Sequence, residues 1–328
     1  MTSAGHSEAA LPVVAAAELP PPARAARPHP EGGWWARGGH LGLGLRLATL
    51  LVEPMPRWLR YLLADIGGEA AYRLLPGRAR RARRNYSAFT PGDRAASARL
   101  ARGAYRNYSR TVMDFLVLER LVVEQRRSAQ ADSLLTLQQA LDGGHGAIVV
   151  TPHLGNWDLG AAMIATCGRP AHAITDSFGP PAVDGQVRAV RQRLGVGVIP
   201  TGPSSARQAL RALRRNEVLC LACDIDKGGA GVPVRFLGQE VFLPGGPALL
   251  ALRTGAPLIP GYMRRLRGGG HESRLLAPLG QPGRGSAVER VAELTQQIAT
   301  SFEGMIRQDP AQWFAFHPLT RGAPGRAR

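Results

Sequence analysis

The chain has 328 residues, 45% of them hydrophobic, and a formal net charge of +17. This length is enough to bury one large core or two smaller ones, and the charge indicates anionic partners, either nucleic acid or an anionic membrane with phosphorylated head groups. Aromatic residues make up only 6% of the chain and no nucleic-acid-binding motif is present, so we favour the membrane and expect no nucleic-acid partner. Three cysteines, an odd number, give no disulfide framework.

The N-terminal third divides into a tail and a helical region. Residues 1–33 are rich in Ala, Pro, Gly and Arg, which predicts a disordered tail. Residues 34–127 are predicted to form a helical layer, in which one apolar stripe has helical spacing. The stripe consists of Leu59, Leu62, Leu63, Ile66, Ala70 and Leu74. It either packs on the rest of the protein as an ordinary amphipathic helix or, with Trp34, Trp35 and Trp58, meets a membrane interface.

Two further features of this region concern the membrane. The longest early apolar run, residues 41–52, contains Arg46 and is shorter than the roughly 20 residues of a membrane-spanning helix. We therefore expect a protein that binds the membrane without crossing it. A dense arginine run follows Pro76 and Gly77 and comprises Arg78, Arg80, Arg81, Arg83 and Arg84. Such a run is either a solvated helix face or a surface for lipid phosphates.

From residue 128 to residue 318, strand and helix patterns alternate. Strands are predicted at 147–150, 171–175, 196–199, 218–223 and 256–262, and helices at 134–141, 187–194, 204–214 and 287–307. Alternation of this kind predicts an α/β fold with a mainly parallel central sheet covered by helices. Residues 319–328 form a basic C-terminal tail.

The stretch from Gly146 to Gly160 carries the first chemical signal. A short β-branched run, Ala147 to Val150, predicts a buried parallel strand, which Pro152 ends. His153 then lies at the carboxyl end of this strand, the edge at which open α/β sheets bind ligands. Asp158 begins the next helix, and a tight turn through Gly155 and Asn156 brings it within reach of His153. A His–Asp pair without a nucleophile elbow predicts direct attack by a substrate hydroxyl, with His153 as general base and Asp158 as its orienting partner.

Three blocks of the sequence together resemble one enzyme superfamily. The block His153-Leu-Gly-Asn-Trp-Asp158 resembles the H-x4-D motif of the glycerolipid and lysophospholipid acyltransferases, in the form found in their bacterial glycolipid branch. That branch contains the late acyltransferases of lipid A synthesis and the phosphatidylinositol mannoside acyltransferases. Asp224-Ile-Asp226, with the phenylalanine–glycine segment up to Gly238, resembles a second block, and Asp309-Pro-Ala-Gln-Trp313 to His317 resembles the closing segment. The superfamily's usual glutamate of the F-P-E-G block is absent from this chain.

The resemblance implies a function and its substrates. It implies transfer of a fatty acyl group from a thioester donor, acyl-CoA or acyl carrier protein, to a hydroxyl of a membrane glycolipid or lysophospholipid. A phosphatidylinositol mannoside and a lipid A precursor are the acceptors of the two named subfamilies. It implies no cofactor and no metal, and a peripheral or monotopic position on the cytoplasmic face of the inner membrane.

The resemblance also suggests substrate-binding residues. Asn156 lies in the first block, and Asp224 and Asp226 occupy the acidic turn of the second, where either orients His153 or binds an acceptor hydroxyl. Three arginines, Arg188, Arg191 and Arg193, lie where the family's arginines meet phosphate or the thioester carrier.

Two other functions stay open at this stage. Asp224-x-Asp226 is also the pattern by which a metal-dependent glycosyltransferase holds its cation through hard oxygen ligands. A non-enzymatic, basic membrane-associated protein would have the same charge and would tolerate loss of His153. Cys220-x-x-Cys223 lies in a predicted strand, where residues i and i+3 face opposite sides, so we expect buried core thiols there rather than a metal or redox site.

Overall fold

The computed structural model describes residues 39–127, 131–177, 179–226 and 231–319. The predicted N-terminal tail, Trp34, Trp35 and nearly all of the basic C-terminal tail lie outside these described residues. Within them, the chain forms a helical N-terminal region followed by an α/β region, so the predicted fold class is confirmed.

In the N-terminal region, the described residues 39–127 form five helices. They are α1 (Gly39–Val52), α2 (Arg57–Leu74), α3 (Pro76–Tyr86), α4 (Arg94–Leu116) and α5 (Leu118–Arg127). The start of α4 is capped by the Asp93 side chain, which accepts a hydrogen bond from the Ala96 backbone N–H at 2.8 Å. An acidic N-cap satisfies one of the unpaired N–H groups at a helix start and interacts favourably with the helix dipole.

The α/β region contains the remaining elements. The helices are α6 (Ala131–Asp142), α7 (Trp157–Ile164), α8 (Pro181–Arg193), α9 (Ser205–Arg214), α10 (Gly246–Thr254) and α11 (Ala287–Gln308). The strands are β1 (Ala147–Thr151), β2 (Ala171–Thr175), β3 (Val196–Pro200), β4 (Val218–Ala222), β5 (Val232–Phe236), β6 (Gln239–Leu243), β7 (Leu258–Arg265) and β8 (His271–Leu275). The predicted strands and helices recur here with shifts of up to three residues at their ends, except that α8 begins six residues before its predicted start; β8 was not predicted.

The main sheet has the strand order β3-β2-β4-β1-β7-β8. Every neighbouring pair is parallel except β7 and β8, which are antiparallel. The central strand β1 is fully buried from Ala147 to Val150, as expected for a parallel strand covered on both faces. Its two neighbours are β4 and β7, so the chain segments that leave the carboxyl ends of these three strands lie side by side.

A separate two-stranded hairpin, β5–β6, follows the acidic turn. Its tight turn is formed by Leu237 and Gly238, both with positive φ, as a type I′ hairpin turn requires. The Leu237 backbone N–H donates to Glu303 of α11 at 2.9 Å, which ties the hairpin to that helix.

Helices α2 and α4 pack closely through a polar contact. Gly68 allows this contact, because a Cβ atom there would lie 2.7 Å from the Arg106 Cα. Glu69 accepts hydrogen bonds from Arg102 and Arg106, and Asp65 forms an ion pair with Arg110 at 2.6 Å. The inward face of α2 is therefore built from small and charged residues.

The outward face of α2 carries the apolar stripe predicted from the sequence. Leu62, Leu63, Ile66 and Leu74 are all exposed, and Leu74 retains 77% of its accessible surface. Trp58 is exposed beside them, as are Leu47, Leu50 and Leu51 of α1. The stripe thus faces away from the protein core, contrary to the alternative of ordinary packing on the catalytic domain.

Candidate active site

His153 lies where the sequence places it, just after the carboxyl end of β1. The chain then turns sharply and starts α7 at Trp157. The turn depends on Gly155, which has φ +64° and whose missing Cβ leaves room for the Met263 carbonyl oxygen. Any other residue at this position would collide with β7 and strain the backbone.

The turn is held from several sides by backbone hydrogen bonds. The Asn156 N–H donates to the Met263 carbonyl at 2.8 Å, and the Gly155 N–H donates to the Gln312 carbonyl at 2.9 Å. The Phe314 N–H donates to the carbonyl of His153 itself, also at 2.8 Å. The closing segment of the chain therefore fixes the backbone of the candidate base.

The side chain of His153 is paired with Asp224. The His153 Nδ1 lies 2.5 Å from Asp224 Oδ1, and the second carboxylate oxygen accepts the indole N–H of Trp313 at 2.8 Å. The Asp224 side chain is only 2% exposed, against 27% for His153. Because β1 and β4 are neighbours and parallel, the residues after their carboxyl ends meet, although they are 71 positions apart in sequence.

The electrostatics of the pair follow from this arrangement. Burial alone raises the pKa of Asp224, but attraction to the His153 ring and hydrogen bonds from His153 and Trp313 outweigh it, so that the pKa of Asp224 lies below its ordinary value. Asp224 is therefore a carboxylate at neutral pH. A buried carboxylate on Nδ1 orients the imidazole and stabilises its protonated form.

Asp158 has a different partner from the one expected. Its Oδ1 accepts a hydrogen bond from the Arg191 Nε at 2.7 Å, and the two side chains are 13% and 11% exposed. The carboxylate on Nδ1 of the histidine belongs to Asp224, so the expected His153–Asp158 orientation is corrected. The reason is topological: Asp158 lies in the first turn of α7 and faces α8, whereas Asp224 follows the strand next to β1.

Asn156 caps α7 and is not open to a substrate in this structure. Its Oδ1 accepts the Leu159 backbone N–H at 3.0 Å, and the residue is 1% exposed. The expected substrate-binding role therefore has no geometric support. Asn156 instead caps the start of α7, the helix that follows His153.

The arginines of α8 are each paired with a carboxylate of the protein. Arg188 donates to Asp184 one helical turn away at 2.6 Å, and Arg193 donates to Glu119 of α5 at 2.7 Å. Together with the Arg191–Asp158 pair, these contacts engage all three arginines expected to meet phosphate or the thioester carrier. The Arg193–Glu119 pair is more than half exposed, so it contributes little to stability.

The two aspartates of the acidic turn, Asp224 and Asp226, have different hydrogen-bond partners. Asp224 binds His153 and Trp313, whereas Asp226 Oδ2 accepts the Gly231 backbone N–H at 3.1 Å. Within the described ranges, no group of three or more His, Cys, Asp or Glu side chains is placed to hold a metal ion. The cysteines Cys220 and Cys223 are core residues, and burial raises the pKa of both thiols.

A mainly apolar cavity lies close to the site, and Trp157 connects the two. Trp157 lines its wall and also packs edge-on against the His153 ring, with the ring centroids 5.3 Å apart. The cavity runs between α7 and the sheet and is closed by α5, α6 and β8. The other lining residues are Gln125, Ser133, Leu134, Val149, Thr151, Gly160, Ala161, Met163, Ile164, Cys220, Gly261, Tyr262, Met263, Ser273 and Leu275.

A buried ion pair supports the turn from the helical region. Arg265 of β7 donates to Asp114 of α4 at 2.7 Å and to Thr111 at 3.1 Å, and the Thr111 hydroxyl donates to the Gly155 carbonyl at 3.1 Å. The Tyr61 hydroxyl of α2 also donates to Asp114, at 3.0 Å. Burial raises the pKa of Asp114, but nearby His271 and Arg265 outweigh this effect and hold it below its usual value.

Sequence reasoning missed three parts of this arrangement: Trp313, Trp157 as the link to the cavity, and the Asp114–Arg265 pair. The closing segment that contains Trp313 had been singled out only by resemblance. The polar residues of α4 and β7 gave no local signal, since they meet across 151 positions of sequence.

The comparisons with known proteins identify the family of the chain. Residues 40–321 match the family model described as bacterial lipid A biosynthesis acyltransferase. A phosphatidylinositol mannoside acyltransferase of Mycolicibacterium smegmatis is 31% identical over 185 residues, which cover 56% of this chain and 59% of that protein. A protein of the same name from Mycobacterium tuberculosis (strain CDC 1551 / Oshkosh) is 29% identical over 219 residues, covering 66% of this chain and 67% of that protein.

The family match spans the helical region and the α/β region alike, and both parts contribute to the site. His153, Asp224 and Trp313 all lie inside the matched residues. This confirms the resemblance seen in the sequence: the chain belongs to the bacterial lipid A biosynthesis acyltransferase family.

Proposed function

We propose that the protein transfers a fatty acyl group from a thioester donor to a hydroxyl group of a membrane glycolipid or lysophospholipid. The observation that carries this proposal is the His153–Asp224 pair beside Trp157, whose ring contacts His153 and also lines an apolar cavity. A base held by a buried carboxylate activates a hydroxyl group, and the cavity accommodates an apolar chain beside it.

The reaction follows from the geometry of the pair. Because Nδ1 faces Asp224, Nε2 of His153 removes the proton from the acceptor hydroxyl as its oxygen attacks the thioester carbonyl. The tetrahedral intermediate then collapses, the carbon–sulfur bond breaks, and the leaving thiolate receives the proton from the imidazolium. Asp224 stabilises the imidazolium throughout, and backbone N–H groups at the start of α7 stabilise the oxyanion. Asp158 holds α7 against α8 through Arg191.

The substrates are proposed from chemistry and from the relatives' names. The acceptor is a phosphatidylinositol mannoside, after the two mycobacterial relatives, with a lipid A precursor as the other candidate within the family. The donor is acyl-CoA or acyl carrier protein, since both present a thioester on a flexible arm. No cofactor is required by this mechanism, because His153 supplies the acid–base chemistry.

The membrane position is part of the same proposal. Of the helices described, none combines the length and the apolar character of a transmembrane span. The exposed apolar faces of α1 and α2 would lie in the lipid interface, and the exposed arginines of α3 would face anionic head groups. Among the described residues, no carboxylate lies within ion-pair distance of Arg78, Arg80, Arg81, Arg83 or Arg84, in contrast to the three paired arginines of α8. We place the protein on the cytoplasmic face of the inner membrane, as a peripheral or monotopic enzyme.

The test of the activity is direct. Purified protein is incubated with radiolabelled palmitoyl-CoA, or with palmitoyl acyl carrier protein, and vesicles that contain phosphatidylinositol mannoside, a lipid A precursor or a lysophospholipid. Mass spectrometry identifies the acylated lipid. Transfer that needs His153 and persists in EDTA supports the proposal. Activity that is lost in EDTA and restored by Mn²⁺ would instead support metal-dependent chemistry at Asp224 and Asp226.

The test of the membrane surface uses matched charge changes. Replacing Arg80, Arg83 and Arg84 of α3 by glutamine should weaken co-sedimentation with anionic vesicles, because each basic residue near the surface contributes about 1 kcal/mol. The control replaces Arg207, Arg211 and Arg214 of α9, which are also exposed and change the net charge equally. Equal weakening by both sets would mean that net charge alone drives binding, and would contradict a specific α3 surface. High salt should weaken the binding of wild type without abolishing it.

A further inference from the structure

We infer that Trp313 is a positioning residue of the catalytic pair, and that it acts by holding Asp224. This inference rests on the proposed function. Its geometric basis is the hydrogen bond from the Trp313 indole N–H to Asp224 Oδ2, on the carboxylate oxygen opposite the one that meets His153.

Asp224 needs such a partner because of its burial. A carboxylate oxygen removed from water and left without a donor costs free energy, so it rotates or takes a proton unless a hydrogen bond compensates. His153 satisfies one oxygen and Trp313 the other. With both oxygens engaged, the carboxylate plane is fixed, and the oxygen that faces Nδ1 cannot turn away from the imidazole.

The backbone of Trp313 adds a second constraint on the same pair. Trp313 forms a β-bridge with Leu154, directly after His153, and the next residue, Phe314, donates to the His153 carbonyl at 2.8 Å. One short segment therefore holds both members of the pair: its backbone holds the main chain at His153, and its side chain holds Asp224.

Trp313 is itself fixed on several sides. It is fully buried, and its ring meets Tyr86, Phe89 and Phe236 edge-on at centroid distances of 5.8–6.0 Å. The Tyr86 hydroxyl donates to the Trp313 carbonyl. A rigid donor adds little entropic cost when the reaction proceeds, which is the requirement for a preorganised site.

The first experiment separates the N–H group from the ring. Trp313→Phe keeps an aromatic ring and removes the donor, so kcat should fall roughly tenfold, as expected for one hydrogen bond to a charged group, while KM for both substrates changes little. Phe236→Leu is the control, since it removes one of the three rings around Trp313, while Tyr86 and Phe89 still hold the ring and the N–H stays in place. It should lower the melting temperature and leave kcat within about twofold of wild type. A kcat loss in Phe236→Leu as large as in Trp313→Phe would overturn the inference.

The second experiment asks whether Trp313 acts through Asp224. In an Asp224→Asn background the carboxylate is already lost, so adding Trp313→Phe should lower kcat by less than about twofold, whereas independent effects would multiply. A further tenfold loss in the double variant would show that Trp313 acts by some other route.

An NMR measurement tests the inference without an activity assay. The proton between His153 Nδ1 and Asp224 should give a proton NMR signal far downfield of the amide region, absent in His153→Ala. Trp313→Phe should shift or broaden that signal, and Phe236→Leu should leave it in place. An unchanged signal in Trp313→Phe would contradict the inference. This result does not depend on any substrate, so a failure of the proposed acyl transfer would be distinguishable from it.

Discussion

Two carboxylates flank the candidate active site, and their partners give them different roles. Asp224 lies against the imidazole of His153, the kind of side chain that most often carries protons in catalysis. Asp158 lies against the guanidinium of Arg191, a planar ion-pair donor that carries no protons in the proposed reaction. Only the first pair can change its charge during a reaction. The second pair is a fixed link between two helices.

The difference shows that closeness in sequence is a poor guide to partners in a parallel sheet. Asp158 follows His153 by five positions, but the helix that starts between them turns its side chain toward α8. Asp224 is far away in sequence, yet it leaves the neighbouring strand at the same edge of the sheet. In this fold the strand order decides which side chains meet.

The largest expected effect is that of removing the base. His153→Ala should reduce turnover by about 10⁴-fold, because neither the attack nor the departure of the thiolate then has a proton carrier. The melting temperature should also fall, because the buried Asp224 oxygen that faced Nδ1 loses its donor. Turnover near that of wild type in the purified variant, with correct folding by circular dichroism, would rule out the mechanism.

Removing the negative charge of Asp224 should have the next largest effect on turnover. Asp224→Asn should lower kcat by about 10³-fold, since an amide can neither hold the histidine in the required tautomer nor stabilise the imidazolium. Steady-state kinetics measures this loss. An Asp224→Asn variant less impaired than Asp158→Asn would reverse the assignment of the two carboxylates.

Breaking the Asp158–Arg191 ion pair should mainly lower the stability of the protein. Asp158→Asn leaves Arg191 largely buried without its partner, so we expect a loss of about 2 kcal/mol of unfolding free energy and at most about a tenfold loss of kcat. Thermal unfolding and kinetics on the same preparation separate the two effects. The matched control is Glu119→Gln, which breaks the exposed pair with Arg193 and should change stability by less than about 1 kcal/mol.

A smaller effect, on the free energy of unfolding, should appear at acidic pH. The folded-state pKa of Asp224 is lowered, so its ionisation stabilises the fold above its unfolded pKa, and this stabilisation is lost as the pH falls through the lower folded value. The difference in unfolding free energy between wild type and Asp224→Asn should therefore decrease below about pH 4. Urea titrations at pH 7, 5 and 3 measure it, and a pH-independent difference would contradict the lowered pKa.

The sequence predicted the central part of the fold well. Strand β2, at Ala171–Thr175, was predicted with its exact ends, and the position of His153 after β1 was correct. Both follow from local signals, namely β-branched runs, a proline and a glycine turn. The sequence offered Asp158, Asp224 and Asp226 as partners of His153 but could not decide among them, because it does not state which strands are neighbours. The antiparallel edge strand β8 was missed as well, since His271–Leu275 alternates without a marked apolar face.

Helices α2 and α11 show a second limit of sequence patterns. The apolar stripe of α11 packs into the core through Leu294, Ile298 and Phe302, as expected for an amphipathic helix. The stripe of α2 points outward instead, because Glu69 and Asp65 find arginine partners on α4. Periodicity shows which residues share a face, whereas the medium or surface that this face meets depends on the rest of the protein.

The exposed apolar residues of α2 affect how the purified protein behaves in solution. Leu62, Leu63 and Ile66 do not pack into the core, so their exchange for serine or glutamine should leave the fold intact. We expect these exposed residues to promote association of the purified protein in buffer without detergent. A variant with these residues made polar should remain monodisperse without detergent and should crystallise more readily, while keeping the His153–Asp224 pair unchanged.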